Sequence, residues 1–178
     1  MKTLALKSSG NKKDLPRCLY RMKYKGAGMK ILVTAFEPFG TDDKNASLEV
    51  LNRLAAPKGC ELIKEVVPVV FGKAAERVNE LIDLEKPDAV ICLGQAGGRK
   101  EISLERRAVN LCRTVNPDNE GNCPEDAPVI ADGRDVLDST LPVEQMQKCL
   151  LDAGIPAELS DSAGTFVCNS LMYGMLYH

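Results

Sequence analysis

The sequence predicts an α/β fold around a largely parallel sheet, and three observations carry that prediction. Short apolar, β-branched runs alternate with segments of helical spacing. The third such run is apolar throughout, as a strand covered on both faces would be. A length of 178 residues, with 44% hydrophobic and 27% charged residues, suits one ordinary domain with a real core. Strands alternating with helices pack as an α/β sandwich.

Residues 30–36 (Lys-Ile-Leu-Val-Thr-Ala-Phe) read as the first strand, and the polar stretch after Phe36 as a loop. Asn45, with Glu49 four residues on, is a fitting cap for a helix running to about Ala56. Residues 62–70 form the second strand, with Pro68 near its end. Residues 72–85 place Ala75, Val78, Leu81 and Ile82 on one helical face, and Pro87 stops that helix. Residues 88–93 are the third strand, closed by the turn Gly94-Gln95-Ala96-Gly97-Gly98. Residues 102–111 read as extended and carry Glu105. Residues 112–138, rich in Pro, Asn, Asp and Gly, read as a long loop of the kind that covers a site. A helix over 141–152, a short strand over 157–160 and a final helix over 166–177 complete the domain, 29–178.

Charge is unevenly distributed. Residues 1–28 hold eight Lys and Arg against Asp14 alone, so a head of +7 on a chain of −2 leaves −9 for the body. Phosphates would be repelled by such a body, which argues against a nucleic-acid partner. No apolar run is long enough for a membrane span, and the basic head lacks the apolar stretch of a secretory signal. It reads as a poorly structured extension, with Met29 as a natural beginning. Seven scattered cysteines with no CxxC pair speak for a reducing, cytoplasmic setting rather than a disulfide framework. With His178 as the only histidine, neither a structural metal nor a cofactor is expected.

Ligands of such sheets gather beyond the carboxyl ends of the strands, where the loops 36–45, 94–100 and 162–168 should meet. The glycine-rich turn at 94–98 does not fit the G-x-G-x-x-G pattern and serves equally as a tight turn. Cys168 falls in the first turn of the last helix, where unpaired amides and the helix dipole favour a thiolate. A buried free cysteine is the plainer alternative, and it suits Cys92 in its apolar strand. Glu105, beside Arg106 and Arg107, reads taken alone as a solvated charge pairing with a neighbouring arginine. Asp118-Asn119-Glu120-Gly121-Asn122 reads as a turn with a faint calcium-like pattern.

Taken together, Phe36-Glu37-Pro38-Phe39-Gly40, Asn45-Ala46-Ser47, Gly94-Gln95-Ala96-Gly97-Gly98-Arg99, Glu105-Arg106-Arg107-Ala108-Val109-Asn110, Pro117-Asp118-Asn119-Glu120-Gly121-Asn122 and Ala163-Gly164-Thr165-Phe166-Val167-Cys168-Asn169 resemble the pyroglutamyl peptidases of the pyrrolidone-carboxylate type. The resemblance implies a three-layer α/β/α sandwich around a twisted sheet, and release of N-terminal pyroglutamate from peptides through an acyl-enzyme. Cys168 would be the nucleophile and Glu105 the acid of a Cys-His-Glu triad. Phe36, Phe39, Phe166 and Val167 would line a lactam pocket, with Gln95 alongside and Val69 where the family often has threonine. The family's histidine, on a strand after the nucleophile helix, has no counterpart here, nor do that strand and the closing helix. Impaired turnover is therefore expected, the alternative being a non-catalytic relative that binds pyroglutamate or a small lactam. Self-association into a homo-oligomer is a further implication.

Overall fold

The computed structural model describes residues 28–178 in full and residues 2–8 as backbone. Its centre is a six-stranded sheet in the order β10-β5-β1-β4-β2-β3. The strands are β1 (Lys2–Ser8), β2 (Met29–Phe36), β3 (Cys60–Val67), β4 (Ala89–Gly94), β5 (Ile102–Glu105) and β10 (Ala157–Ser160). β2 runs parallel to β3 and β4, and β5 runs parallel to β1 and β10. The β1–β4 pairing alone is antiparallel in this sheet.

Helix α1 (Ala46–Arg53) packs on β2 and β4 through Leu51, which meets Val33, Ala35 and Leu93. Helix α3 (Val143–Asp152) covers β5 and β10, where Val143 meets Leu104. Helices α2 (Lys73–Glu85) and α4 (Val167–Tyr177) pack against each other over the other large core, on Leu32, Phe36, Val90 and Cys92. Helix α4 has no polar face, because Val167 and Asn169–Met175 are all buried. Close approach of α2 and α4 needs Gly174, since a Cβ there would lie 2.8 Å from Ala75 Cβ.

Helix α1 stops at Arg53 rather than Ala56: Leu54 is already extended, and Pro57 biases Ala56 away from helix. The extended segment 102–111 breaks at Arg106, whose N–H donates to Ser160 O and whose carbonyl accepts from Ser139 N. The chain thereby leaves the main sheet as β6 (Arg107–Val109), paired with β9 (Val136–Asp138). The stretch read as one long loop also holds a small hairpin-like ribbon, β7 (Cys112–Arg113) with β8 (Glu125–Ala127).

The largest difference from the sequence reading concerns the basic head. Residues 2–8, expected to be poorly structured, form a strand inside the sheet. They pair with β4 from Lys2↔Gly94 to Ser8↔Ala89 and with β5 from Lys2↔Ser103 to Leu4↔Glu105. β4 and β5 do not pair with one another, so each offers a row of backbone donors and acceptors, and β1 satisfies both. The rest of the head, 9–27, lies outside the described residues.

Candidate active site

Cys168 is the second residue of α4, after the N-cap Phe166. The Phe166 carbonyl takes the first intrahelical bonds, from Asn169 (3.0 Å) and Ser170 (3.1 Å), leaving the amides of Val167 and Cys168 upstream of the ladder. The turn into the helix needs Gly164, at φ +84°. Thr165 anchors that turn: its hydroxyl donates to Arg113 O (2.7 Å) and its carbonyl accepts from Arg113 N (3.1 Å).

Asn169, fully buried, explains its place in the motif. Its Oδ1 accepts from Val109 N (2.9 Å), and its Nδ2 donates to Val109 O (2.8 Å) and Leu111 O (3.0 Å). The helix start that carries Cys168 is thus fastened to the strand that follows Glu105. Beneath the site lies Cys92, 0% exposed; burial pushes its thiol up to about 12, and the charge of the neighbouring Cys168 adds to the rise.

Glu105 ends β5 and is 0% exposed, so the plainer reading of a solvated charge does not hold. Arg99 Nη1 stands 3.4 Å from Glu105 Oε1 and equally 3.4 Å from Glu158 Oε1. Ser103 Oγ donates to the same Glu158 oxygen at 2.6 Å. A cation supplied by the Gly97-Gly98-Arg99 turn therefore accompanies the buried carboxylate, which needs compensating charge or hydrogen bonds to stay in a dry sheet.

All four phenylalanines collect at this edge. Phe39 and Phe166 have ring centroids 6.1 Å apart, and Phe71 meets Phe166 edge-on at 5.4 Å. Phe36, Val69 and Val167 are buried in the same cluster. Phe71 is the member that sequence reasoning missed, although its place just past the second strand puts it on the same carboxyl edge. Gln95 Oε1 accepts from Ala46 N (2.7 Å) and its Nε2 stands 3.5 Å from Asp42 Oδ2, so the amide ties down the start of α1. Asn45 and Ser47 do related work: Asn45 Oδ1 caps Ser47 N (3.0 Å), Asn45 Nδ2 donates to Glu37 O (3.0 Å), and Ser47 Oγ accepts from Phe36 N (3.2 Å).

The Asp118 turn folds around its own carboxylate, which takes N–H bonds from Phe71, Glu120 and Asn122 and the Asn122 amide. Burial raises this carboxyl, but those hydrogen bonds together outweigh burial and hold it below its ordinary value. The calcium-like pattern is thus explained by a turn that spends its acceptors internally. Among the described residues no group of three His, Cys, Asp or Glu side chains could hold a metal ion, and no helix is long and apolar enough to cross a membrane. His178, at the far end of α4, pairs with Asp83 at 3.3 Å.

A cysteine in the first turn of a helix, packed against an aromatic cluster beside a mostly parallel sheet, is an arrangement suited to an α/β thiol hydrolase. The family profile described as pyroglutamyl peptidase matches residues 29–178. The pyrrolidone-carboxylate peptidase of Thermosipho africanus is 49% identical over 150 residues, covering 84% of this chain and 73% of that protein. The Enterococcus faecalis pyrrolidone-carboxylate peptidase is 45% identical over 150 residues, 84% of this chain and 70% of its own. Among solved structures, pyroglutamyl peptidase I of Bacillus amyloliquefaciens superposes with a TM-score of 0.81 at 41% identity, covering 84% and 72% of the two chains. The pyrrolidone carboxyl peptidase of Pyrococcus furiosus gives 0.81 at 42%, covering 84% and 73%. The chain belongs to the pyroglutamyl peptidase family and carries its cysteine-peptidase architecture.

Proposed function

We propose that the aromatic cleft receives the lactam ring of an N-terminal pyroglutamate and that Cys168 attacks the carbonyl following it. The carrying observation is the convergence of Phe36, Phe39, Val69, Phe166 and Val167 at the helix start that bears Cys168. Attack of the thiolate forms a tetrahedral oxyanion, for which the helix-start amides are suitable donors. Collapse expels the amine of the shortened peptide and leaves a thioester, which water hydrolyses to release pyroglutamate. Glu105 is the acid of the set, with the Arg99 guanidinium 3.4 Å from its Oε1. Gln95 lies alongside the pocket in this reading and also fixes the start of α1 through Ala46 N.

Proton transfer is the weak step. An imidazole normally shuttles the proton between thiol and leaving amine. The single histidine of the sequence is His178, ten residues beyond Cys168 and therefore about 15 Å further along α4, where it is paired with Asp83. We accordingly expect this 178-residue chain to turn over pyroglutamyl amides some 10²–10⁴-fold below a complete triad, the usual contribution of general acid–base catalysis. A second reading is a pocket that binds pyroglutamate without hydrolysing it. A pyroglutamyl chromogenic amide separates the outcomes. Slow turnover abolished in Cys168→Ala supports the peptidase, and 2-pyrrolidone binding with no turnover supports the binding relative. Fast turnover abolished in Cys168→Ala would overturn the expected impairment, and neither turnover nor binding would sink both readings. A cytoplasmic, self-associating protein belongs to the same proposal, and light scattering of the purified chain tests the association.

A further inference from the structure

We propose that Asn119, acting through Glu37, is a positioning residue that sets the spacing of the Phe39 and Val69 walls and so tunes the cleft to a five-membered lactam. This rests on the lactam reading of the cleft. Three stretches of chain that are remote in sequence meet here: 37–40 after β2, 68–71 after β3, and the turn 117–122. Asn119 bonds to both of the others. Its Nδ2 donates to Glu37 Oε1 (2.7 Å) and to Pro38 O (3.0 Å), while its backbone N–H donates to Val69 O (3.0 Å). Glu37 closes the frame, because the same Oε1 also accepts from Val69 N (3.1 Å).

Val69 is consequently gripped at both its N–H and its carbonyl. Phe39 follows directly on the Pro38 carbonyl that Asn119 holds. Asp118 braces the frame from below by accepting from Phe71 N at 3.0 Å, and Phe71 is the ring that supports Phe166. Glu37 N donates to Val67 O (3.1 Å), which keeps the carboxylate at the strand ends. Asn119 is exposed and contributes no wall of its own. Its effect on the ligand passes through the separation of two walls, and a small flat ring with few contact atoms is sensitive to that separation.

Glu37 Oε1 serves only as an acceptor for these two donors, so a glutamine oxygen can replace it. An aspartate in place of Asn119 cannot donate, and it would set a carboxylate against Glu37 and the Pro38 carbonyl. The experiment is titration of the full chain with 2-pyrrolidone and with its six-membered homologue 2-piperidone, at a temperature where circular dichroism shows every variant folded. Asn119→Ala and Asn119→Asp should each lose about 10-fold in affinity for 2-pyrrolidone, with a smaller change for 2-piperidone, so that the preference between the rings narrows. Glu37→Gln should keep the preference and Glu37→Ala should lose it. An unchanged preference in Asn119→Ala, or equal weakening of both lactams, would overturn the proposal and leave Asn119 a stabilising residue. Failure of the unsubstituted chain to bind either lactam would instead remove the lactam reading, and this inference with it.

Discussion

Cys92 and Cys168 lie close together, one sealed in the sheet and the other half-buried at a helix start. With its thiol pushed up to about 12, Cys92 holds only on the order of one part in 10⁴ thiolate at pH 8. Brief treatment of the native protein with iodoacetamide, followed by peptide mass mapping, should therefore leave Cys92 unmodified while Cys168 is labelled. Early labelling of Cys92 would contradict the packing around it. Local pattern could nominate Cys168 for its helix start and Cys92 for its apolar strand, because both signals lie within a few residues. The burial of Glu105 was not legible in that way. Its neighbours Arg106 and Arg107 suggest a wet surface, whereas its environment comes from β1, β10 and Arg99. The bond from Ala46 to Gln95 was not legible either, since the two lie 49 residues apart in sequence.

Between elements, the α2–α4 contact and the Asp118 turn make claims that stability measurements can test. Gly174→Ala would bring a Cβ to 2.8 Å from Ala75, and overpacking of that kind costs about 1–3 kcal/mol. Urea unfolding should show the loss as a lower midpoint with an unchanged slope. Asp118 has a folded-state carboxyl held below its ordinary value of 3.8, so it stabilises the protein above that value. The contribution falls away as pH drops through 3.8 toward the lower folded value. Asp118→Ala should accordingly be less stable than the unsubstituted chain at pH 6, with the gap shrinking below pH 4. A gap that grew on acidification would refute the assignment. Strands and helices at this scale were largely readable, because Pro57, Pro68 and Pro87 stop elements by local sterics. The ribbons of β6 with β9 and β7 with β8 were not, being only two or three residues per strand and defined by their partners.

For the whole molecule, the placing of β1 has the widest consequence. Among the described strands it alone joins the β10–β5 pair to the β4–β2–β3 set, although it lies outside the region matched by the family. Deleting residues 1–8 should leave two sheet edges unpaired, broaden or abolish the cooperative thermal transition and increase binding of a hydrophobic dye. A sharp transition at an unchanged Tm would show that the sheet does not depend on this strand. No periodicity in a basic head announces a strand whose stability comes from two distant edges. The family's motifs, by contrast, report the site in order along the chain. The most direct test of the account is incubation with pyroglutamyl chloromethyl ketone, which requires both a pocket for the ring and a nucleophile beside it. The thiolate would displace chloride and leave a thioether, so intact mass and peptide mapping should show a single label on Cys168, slowed by 2-pyrrolidone and absent from Cys168→Ser. Equal labelling of the exposed Cys123 and Cys149, or labelling indifferent to 2-pyrrolidone, would contradict a lactam site at Cys168.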